Sequence, residues 1–166
     1  QAQPLIKATR HAKSKYKNSK CIYLSPKGKK IDQEIITNTA NNDNLIIIAG
    51  RYEGVDQRFI DIEVDEEWSI GDYILSGGEV AACVLIDAIA RMIPGVLGHE
   101  DSNKDESFSN GYLEYPHYTR PEVVESISVP EVLLSGNHEE IRKWREKQAI
   151  LTTNNKRSDL IKKKLS

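Results

Sequence analysis

The chain has 166 residues, of which 39% are hydrophobic and 29% are charged, and its formal net charge at pH 7 is −2. A chain of this size and composition can bury a core without a disulfide or a structural metal. It contains no apolar run of the length that a membrane span requires, so an integral membrane protein is excluded. Cys21 and Cys83 lie far apart in apolar stretches, and we expect buried, reduced thiols in a cytoplasmic protein.

The charges are segregated along the chain. Residues 1–30 contain nine Lys or Arg and no acid, acids dominate residues 43–79, and residues 142–164 contain nine Lys or Arg against two acids. Basic segments at both ends suit a polyanionic partner such as nucleic acid, through neutralisation of its phosphates. Solvated helix faces explain the same pattern equally well.

The first half of the chain alternates between predicted helices and strands. Residues 4–17 predict a short basic helix, and "CIYLSP" (21–26) predicts a strand that Pro26 stops, with "PKGKK" as a turn. "IDQEIITNTA" is helix-like. "NLIIIAG" (44–50) is typical of a central parallel strand that is buried on both faces.

The same alternation continues to residue 92. "RYEGVDQRFID" predicts a loop and a short helix, and "VDEEWSIGDYIL" predicts one or two further strands. Residues 79–92 predict a helix that is apolar on most of its circumference, hence a central or an interface helix. Strands that alternate with helices indicate an α/β fold with a mostly parallel sheet and helices on both faces.

The character of the sequence changes at Pro94. Residues 94–112 are polar and too long for an ordinary connection, so they are either functional or mobile. The proline-rich stretch that follows predicts an extended segment, and the last thirty residues predict a basic helix, an Asn-rich break and a short second helix.

Two glycine-ended apolar segments, "IIIAGRYEG" and "ILSGGE", are the first candidate site. Ligands of open α/β sheets lie beyond the carboxyl ends of the strands, and two such loops that converge would suit an adenosine-sized ligand. Neither segment matches the dinucleotide or P-loop glycine pattern, and plain turn glycines are the simpler alternative.

Further polar residues are candidates for chemistry. Asp105 and Glu106 lie in the polar loop, where a carboxylate can act as a general base or merely face solvent. Arg91 ends the apolar helix, where the helix dipole alone favours a cation. "PHYTRP" contains His117 and Arg120 in an aromatic and basic patch that suits either RNA binding or a rigid strap. The histidine spacing predicts no metal site.

Five stretches taken together resemble one family. They are "YLSPKGKKIDQ", "IIIAGRYEGVDQR", "DEEWSIGDYILSGGEVAACVLIDAIARMIPGVLG", "ESFSNGYLEYPHYTRPEV" and "VPEVLLSGNHEEIRKWR". In this order they closely resemble the bacterial tRNA (guanine-N1)-methyltransferases of the knotted SPOUT-type superfamily, from about Pro4 to Arg145. The resemblance implies methylation of the guanosine at tRNA position 37, a deep trefoil knot in the α/β fold, and an obligate homodimer.

The resemblance also implies S-adenosylmethionine as cofactor, held by loops whose backbone approaches it closely. The residues that match the cofactor loops are Pro26, Gly50, Tyr52, Glu53, Gly54, Ser69, Ile70, Gly71, Asp72, Tyr73, Ile74, Leu75, Ser76, Gly77 and Gly78. The family is compatible with Mg²⁺ as a second cofactor, although no carboxylate cluster of this sequence predicts a site for it.

The catalytic roles that the resemblance implies are a carboxylate that removes the proton of guanine N1 and an arginine that stabilises charge on O6. Arg91 matches the arginine. The family's aspartate falls on Glu106, with Asp105 one position earlier, so the acidic pair is present in reversed order and either residue can be the base; we favour Glu106. His117 and Arg120 are expected to bind the tRNA substrate.

The domain boundaries expected from these patterns are 1–98 for a cofactor-binding α/β domain, 99–116 for a flexible catalytic linker, and 117–166 for a strap and a helical tRNA-binding portion. The chain begins without Met, and the family has a further segment before the part that matches Pro4. We therefore expect a fragment that lacks this N-terminal segment. The alternative to an active enzyme is a catalytically silent core that dimerises and binds cofactor or RNA without turnover.

Overall fold

The computed structural model describes residues 1–41, 44–51, 54–96, 106–108 and 110–165. The chain forms two compact units, Gln1–Gly98 and His99–Ser166. The first unit is an α/β layer structure around a parallel sheet, as its sequence predicts, and the second is mainly helical.

The elements of the first unit alternate in the order that the sequence predicts. They are α1 (Ala2–Lys15), β1 (Lys20–Lys30), α2 (Gln33–Thr39), β2 (Leu45–Ala49), α3 (Gln57–Glu63), β3 (Glu66–Ser69) and α4 (Gly78–Ala90). The three strands form one sheet in the order β2-β1-β3, and both pairings are parallel. The stretch 64–75 supplies one strand among the described residues, the lower of the two numbers expected.

The central strand of this sheet is β1. The segment "NLIIIAG" contains β2, which lies at the edge, so the expectation that it forms a central strand is wrong. Cys21–Ser25 are buried throughout, whereas Leu45–Ile48 of β2 are only half-buried at the edge of the described sheet. Both strands are strongly apolar, and the order of strands in a sheet depends on pairing partners that the local sequence does not specify.

The expected stop of β1 at Pro26 is also wrong, because the strand continues to Lys30. Its pairing with β3 is interrupted between Leu24 and Lys29, and this break accommodates a proline that has no N–H to donate. Gly28 then runs against β3 so closely that a Cβ would lie 2.4 Å from the backbone N of Trp68. The "PKGKK" segment is therefore an irregular part of a strand.

The core of the first unit lies between the sheet and two helices, α2 and α4. Its buried members are Ile22, Leu24, Ile36, Trp68, Ala81, Leu85 and Ile89. The α4 residues repeat every fourth position and so share the face that packs on the sheet. Apolar residues on the rest of the circumference of α4 are left largely uncovered. Cys83 lies there and is exposed, so the expectation of a buried thiol is wrong for it, whereas Cys21 is buried as expected.

Helices α1 and α3 are joined through Glu63, whose side chain is 5% exposed. Arg10 Nε donates to Glu63 Oε1 over 2.5 Å, and Lys13 Nζ lies 3.6 Å from Glu63 Oε2. Lys13 also donates to the Glu63 carbonyl oxygen over 2.9 Å. The Glu63 carboxylate is buried, whereas both cations reach solvent. Loss of the contact would therefore destabilise the protein most by leaving the Glu63 charge buried without a partner.

We expect the double variant Arg10→Ala/Lys13→Ala to lose more stability than Glu63→Gln. The double variant leaves a buried carboxylate without its two cations, which costs about 3 kcal/mol or more, whereas Glu63→Gln leaves cations that water can solvate and costs about 1 kcal/mol. Urea unfolding monitored by circular dichroism measures both, with Asp61→Asn on the exposed face of α3 as the control. Equal losses for the two variants would contradict this account of the contact.

The described residues of the second unit, 106–108 and 110–165, form a hairpin and three helices. They are β4 (Val123–Val124), β5 (Ile127–Ser128), α5 (Glu131–Leu134), α6 (His138–Lys156) and α7 (Ser158–Leu165). Asn137 caps α6, since its side chain accepts a hydrogen bond from the N–H of Glu140. Helix α6 runs through the predicted Asn-rich break and ends only at Lys156, with Arg157 as its C-cap residue.

The segment before the hairpin is fixed to α6 by a buried threonine. Thr153 is fully buried, and its hydroxyl accepts a hydrogen bond from the N–H of Leu113 over 2.8 Å while donating to the carbonyl of Ala149 over 2.7 Å.

None of the helices in the described part of the chain combines the length and the apolar character needed to cross a membrane.

Candidate functional site

The two glycine-ended segments of the first unit meet at the carboxyl edge of the sheet. The N–H of Gly78 donates to the carbonyl oxygen of Gly50 over 2.7 Å, and Arg51 and Gly77 form an antiparallel bridge. Arg51 Nε also donates to Glu79 Oε1 over 2.6 Å. The loop after β2 is therefore tied to the first turn of α4, which is the convergence that the sequence suggested.

Gly78 allows this approach because it has no Cβ. A Cβ at this position would lie 2.9 Å from both the Cα of Ala49 and the backbone N of Gly50. These neighbours are main-chain atoms of a paired strand, so they cannot move aside as the end of a side chain does. The opening position of α4 thus requires glycine for a contact between two backbones.

A cavity of ≈ 420 Å³ opens beside this contact, within the size range of small-molecule sites. Of the residues predicted to hold a cofactor, those that line it are Pro26, Gly50, Gly54, Ser69, Ile70, Gly71, Tyr73, Ile74, Leu75, Ser76, Gly77 and Gly78. They come from β1, from the loop after β2 and from the stretch between the end of β3 and the start of α4, which the parallel sheet brings to one edge.

Three of the predicted cofactor residues are not placed in this cavity. Asp72 is not among the lining residues, and its carboxylate accepts a hydrogen bond from Lys30 Nζ over 2.6 Å. Tyr52 and Glu53 lie outside the described residues. The Lys30–Asp72 contact fixes the loop after β3 to the end of β1.

The loop after β3 is held in shape by local hydrogen bonds and leaves apolar side chains in solvent. The hydroxyl of Ser69 donates to the carbonyl of Gly71 over 3.0 Å and accepts from its N–H over 3.2 Å. Tyr73 is 54% exposed and Ile74 is 81% exposed. An apolar loop beside a cavity, with its side chains in water, is a surface that a ligand or another chain would cover.

Sequence reasoning missed several cavity residues that lie on strands instead of loops. They include Tyr23, Ser25, Glu67 and Trp68. Burial raises the pKa of the Tyr23 hydroxyl, against a backbone hydrogen bond from Val55 that lowers it. Tyr23 lies between Ile22 and Leu24 in β1, and successive side chains of a strand point to opposite faces of the sheet. This alternation is the sequence signal that Tyr23 faces away from the core under α4.

Arg91 lies at the carboxyl end of α4, as expected from its sequence. It is the C-cap residue, it is half-buried, and its N–H donates to the carbonyl of Asp87 over 3.1 Å. Arg91 belongs to the first unit, whereas the candidate bases belong to the second.

Glu106 is half-buried and precedes a tight loop of the second unit. The N–H of Phe108 donates to the carbonyl of Tyr112 over 2.7 Å, and the hydroxyl of Ser107 accepts from the N–H of Glu114 over 3.0 Å. These bonds fix the backbone that follows Glu106. Asp105 lies outside the described residues, so the preference for Glu106 stays a prediction.

His117 and Arg120 are exposed and line a second cavity, which belongs to the second unit. His117 Nε2 lies 3.4 Å from Glu114 Oε2, and the His117 ring lies 4.9 Å from that of Tyr115. Within the described ranges, no three His, Cys, Asp or Glu side chains are grouped as a metal site would require.

The first unit thus defines a class of protein: an α/β protein with a small-molecule cavity between glycine-rich loops at the carboxyl edge of a parallel sheet. A sequence model of the tRNA (guanine-1)-methyltransferase (TrmD) family matches residues 1–163. The chain belongs to this family.

Individual relatives agree with the family match. The chain is 54% identical to the tRNA (guanine-N(1)-)-methyltransferase of Buchnera aphidicola subsp. Schizaphis graminum over 164 residues, which is 99% of this chain and 63% of the relative. It is 56% identical to that of Haemophilus influenzae strain 86-028NP over 96% of this chain and 65% of the relative. The enzyme of Pseudomonas fluorescens is 59% identical over 86% of this chain and 57% of its own length. The chain therefore spans less than two thirds of these relatives.

Proposed function

We propose that this protein transfers a methyl group from S-adenosylmethionine to N1 of the guanine at position 37 of tRNA, in the cytoplasm. The observation that carries the proposal is the family match over residues 1–163. The glycine-ended loops within this range line the cavity at the sheet edge, which supports it. The relatives that bear the name of this activity share more than half of their aligned residues with the chain.

The cavity residues fit S-adenosylmethionine. A space of ≈ 420 Å³ lies beside the close contact between Gly78 and Gly50, and a Cβ at Gly78 would prevent that contact. Main-chain groups of such loops can pair with an adenine edge, and Tyr23, Ile70 and Leu75 supply apolar surface for its rings. When bound, S-adenosylmethionine supplies a methyl group on a positively charged sulfur.

The protein's own contribution to the chemistry is to make guanine N1 nucleophilic. In the proposal Glu106 accepts the N1 proton, and the Arg91 guanidinium stabilises the negative charge that then develops on O6. The hydrogen bonds that fix Ser107 and Phe108 support this role, because they hold the backbone next to Glu106.

The tRNA partner in this proposal is bound by both units. N1 lies on the pairing edge of guanine, so the base must be unpaired and turned outward before the proton is removed. His117 and Arg120 would contact the substrate, and the exposed Lys7, Lys15 and Lys17 of the first unit would contact phosphates.

We also propose a homodimer and a trefoil knot. Apolar side chains that α4 exposes on the two flanks of its core face support the dimer, since Val80 is 62% exposed, Val84 is 49% exposed and Ile86 is 54% exposed. Exposed apolar side chains grouped on one helix are typical of a surface that a second copy covers. The contact between Gly50 and Gly78 supports the knot, because it joins the two loops through which such a crossing would pass.

Replacing Val84 by Asp is expected to convert the dimer to a monomer, since the interface would have to bury an unpaired carboxylate. We expect dimer dissociation to be favoured by at least about 100-fold. Sedimentation equilibrium measures this constant. Val123→Asp, on the exposed hairpin of the second unit, is the matched control because Val123 is 53% exposed. A native protein that is monomeric at all concentrations would refute the dimer.

The alternative function is a catalytically silent core that dimerises and binds cofactor or RNA without turnover. Both functions use the cavity at the sheet edge, and they differ only in turnover.

Two measurements separate the functions. Calorimetry with S-adenosylmethionine tests the cavity, and transfer of a labelled methyl group to a tRNA transcript with guanines at positions 36 and 37 tests the reaction; a transcript with adenine at 37 is the control. Transfer to the first transcript alone supports the enzyme. Binding heat without transfer supports the silent core. Repeating the assay with EDTA shows whether Mg²⁺ takes part.

A further inference from the structure

The second unit contains a cavity of ≈ 700 Å³ whose walls combine aromatic rings with cations. The residues that matter for its chemistry are Tyr115, His117, Tyr118, Arg120, Trp144 and Arg145. They come from the segment before the hairpin and from the middle of α6. The cavity lies within one unit and shares no lining residue with the cavity that we assign to the cofactor.

Tyr118 and Trp144 form an aromatic pair in the wall of this cavity. Their ring centroids are 6.4 Å apart and their planes are tilted by 56°. A tilted pair leaves ring faces uncovered by the partner ring, and a planar group can stack on such a face. Tyr118 is 44% exposed, so this surface is accessible.

The cations are placed to favour an anionic polymer over a neutral apolar ligand. The Arg145 guanidinium lies over the Tyr115 ring, with Cζ 4.8 Å from the ring centroid. Arg120 lines the same cavity, opposed by a single lining carboxylate, that of Glu122. His117 lines the cavity as well, with its Nε2 3.4 Å from Glu114 Oε2. Aromatic faces beside arginines are the combination that binds single-stranded nucleic acid, through base stacking and phosphate contacts.

We propose that this cavity binds an unpaired base of the RNA substrate, other than the guanine that is methylated, by stacking on Tyr118 and Trp144. This inference rests on the proposed function, because it takes the substrate to be RNA. It adds a second point of recognition in a separate unit from the cofactor cavity. An apolar side chain of a partner protein is the competing occupant, and the arginines argue against it.

Trp144 itself reports on the occupant. The sequence has two tryptophans, and Trp68 is 1% exposed in the core of the first unit. A base that stacks on Trp144 quenches its fluorescence. We would titrate the protein, without S-adenosylmethionine, with a single-stranded RNA of about six nucleotides, the site size of single-strand binders. An abasic ribose-phosphate oligomer of the same length is the matched ligand control, because it carries the charges without the bases.

We expect saturable quenching by the RNA oligomer and none by the abasic one. Trp144→Phe should abolish the signal, and Tyr118→Ala should weaken binding by roughly fivefold or more, the loss typical of one stacking contact. Tyr118→Phe keeps the ring and should restore the affinity. In the methylation assay Tyr118→Ala should raise KM for tRNA and leave kcat unchanged.

Equal binding of the abasic oligomer, or an affinity that Tyr118→Ala does not change, would overturn the inference, because charge alone would then explain the binding. Methyl transfer and the heat of S-adenosylmethionine binding are measured on the same preparations. If transfer is intact while the stacking signal fails, the inference alone is wrong. If stacking is present and transfer is absent in the native protein, the proposed enzymatic function is wrong and the RNA site stands.

Discussion

Replacing Glu106 by Gln is expected to slow methyl transfer in a single turnover by about 10²–10⁴-fold, the usual contribution of a general base. Glutamine keeps the size of the side chain and can still accept a hydrogen bond, but it cannot take the N1 proton. The half-buried position of Glu106, next to a backbone fixed at Phe108 and Ser107, favours a defined side-chain placement. Quenched-flow measurement of the labelled product isolates this step from product release.

Asp105→Asn is the matched control, since it removes the neighbouring carboxylate in the same way. We expect its transfer rate to stay close to that of the native protein, and the heat of S-adenosylmethionine binding to be unchanged in both variants. The Gln variant should regain part of its rate as pH rises, because a guanine that loses its N1 proton to solvent no longer needs the base. A slow Asn variant beside a fast Gln variant would move the role of base to Asp105.

Replacing Gly78 by Ala is expected to weaken S-adenosylmethionine binding by roughly 5- to 150-fold, the equivalent of an overpacking cost of about 1–3 kcal/mol. The new Cβ would lie 2.9 Å from main-chain atoms of Ala49 and Gly50, so the contact between the two loops must open. Opening it displaces the backbone that lines the cavity. Isothermal calorimetry gives the affinity, and thermal unfolding of the free protein shows whether the fold is kept.

Gly77→Ala is the control in the neighbouring position. Its Cβ would meet the carboxylate end of Glu79 and Cγ of Arg51, side-chain atoms that can move aside, and its φ of −171° is extended backbone that any residue adopts. We therefore expect a smaller loss of affinity than at Gly78. If both variants bind the cofactor as the native protein does, the convergence of the two loops does not form its site.

The sequence predicted the elements of the first unit well where its apolar residues formed a clear helical repeat or an unbroken apolar run. The apolar repeat of residues 79–92 and the run "LIIIA" correspond to α4 and β2. It failed at Pro26, where a register shift within β1 lets the strand continue, and at the position of β2 in the sheet. Both failures concern pairing between strands, which is decided by residues distant in sequence.

For the candidate site, the loop residues were predictable and the strand residues were not. Gly50 and Gly78 stand out in the sequence because glycines after apolar runs mark loops where backbones come close. Tyr23 and Trp68 carry no such mark, and they enter the cavity only because β1 and β3 are neighbours in the sheet. Cys83 was expected to be buried because its helix is apolar, but only one face of that helix meets the sheet.

By itself, the sequence determined the alternation of helices and strands, the glycine positions and the membership of a family, since each of these depends on local pattern and residue identity. Only the tertiary structure decided which strand is central, that the N–H of Gly78 meets the carbonyl oxygen of Gly50 over 2.7 Å, and that Tyr118 and Trp144 line one cavity. The physical reason is that these features arise from contacts between distant parts of the chain. Such contacts form when the sheet and the helices bury their apolar faces together, and no short segment encodes its partner.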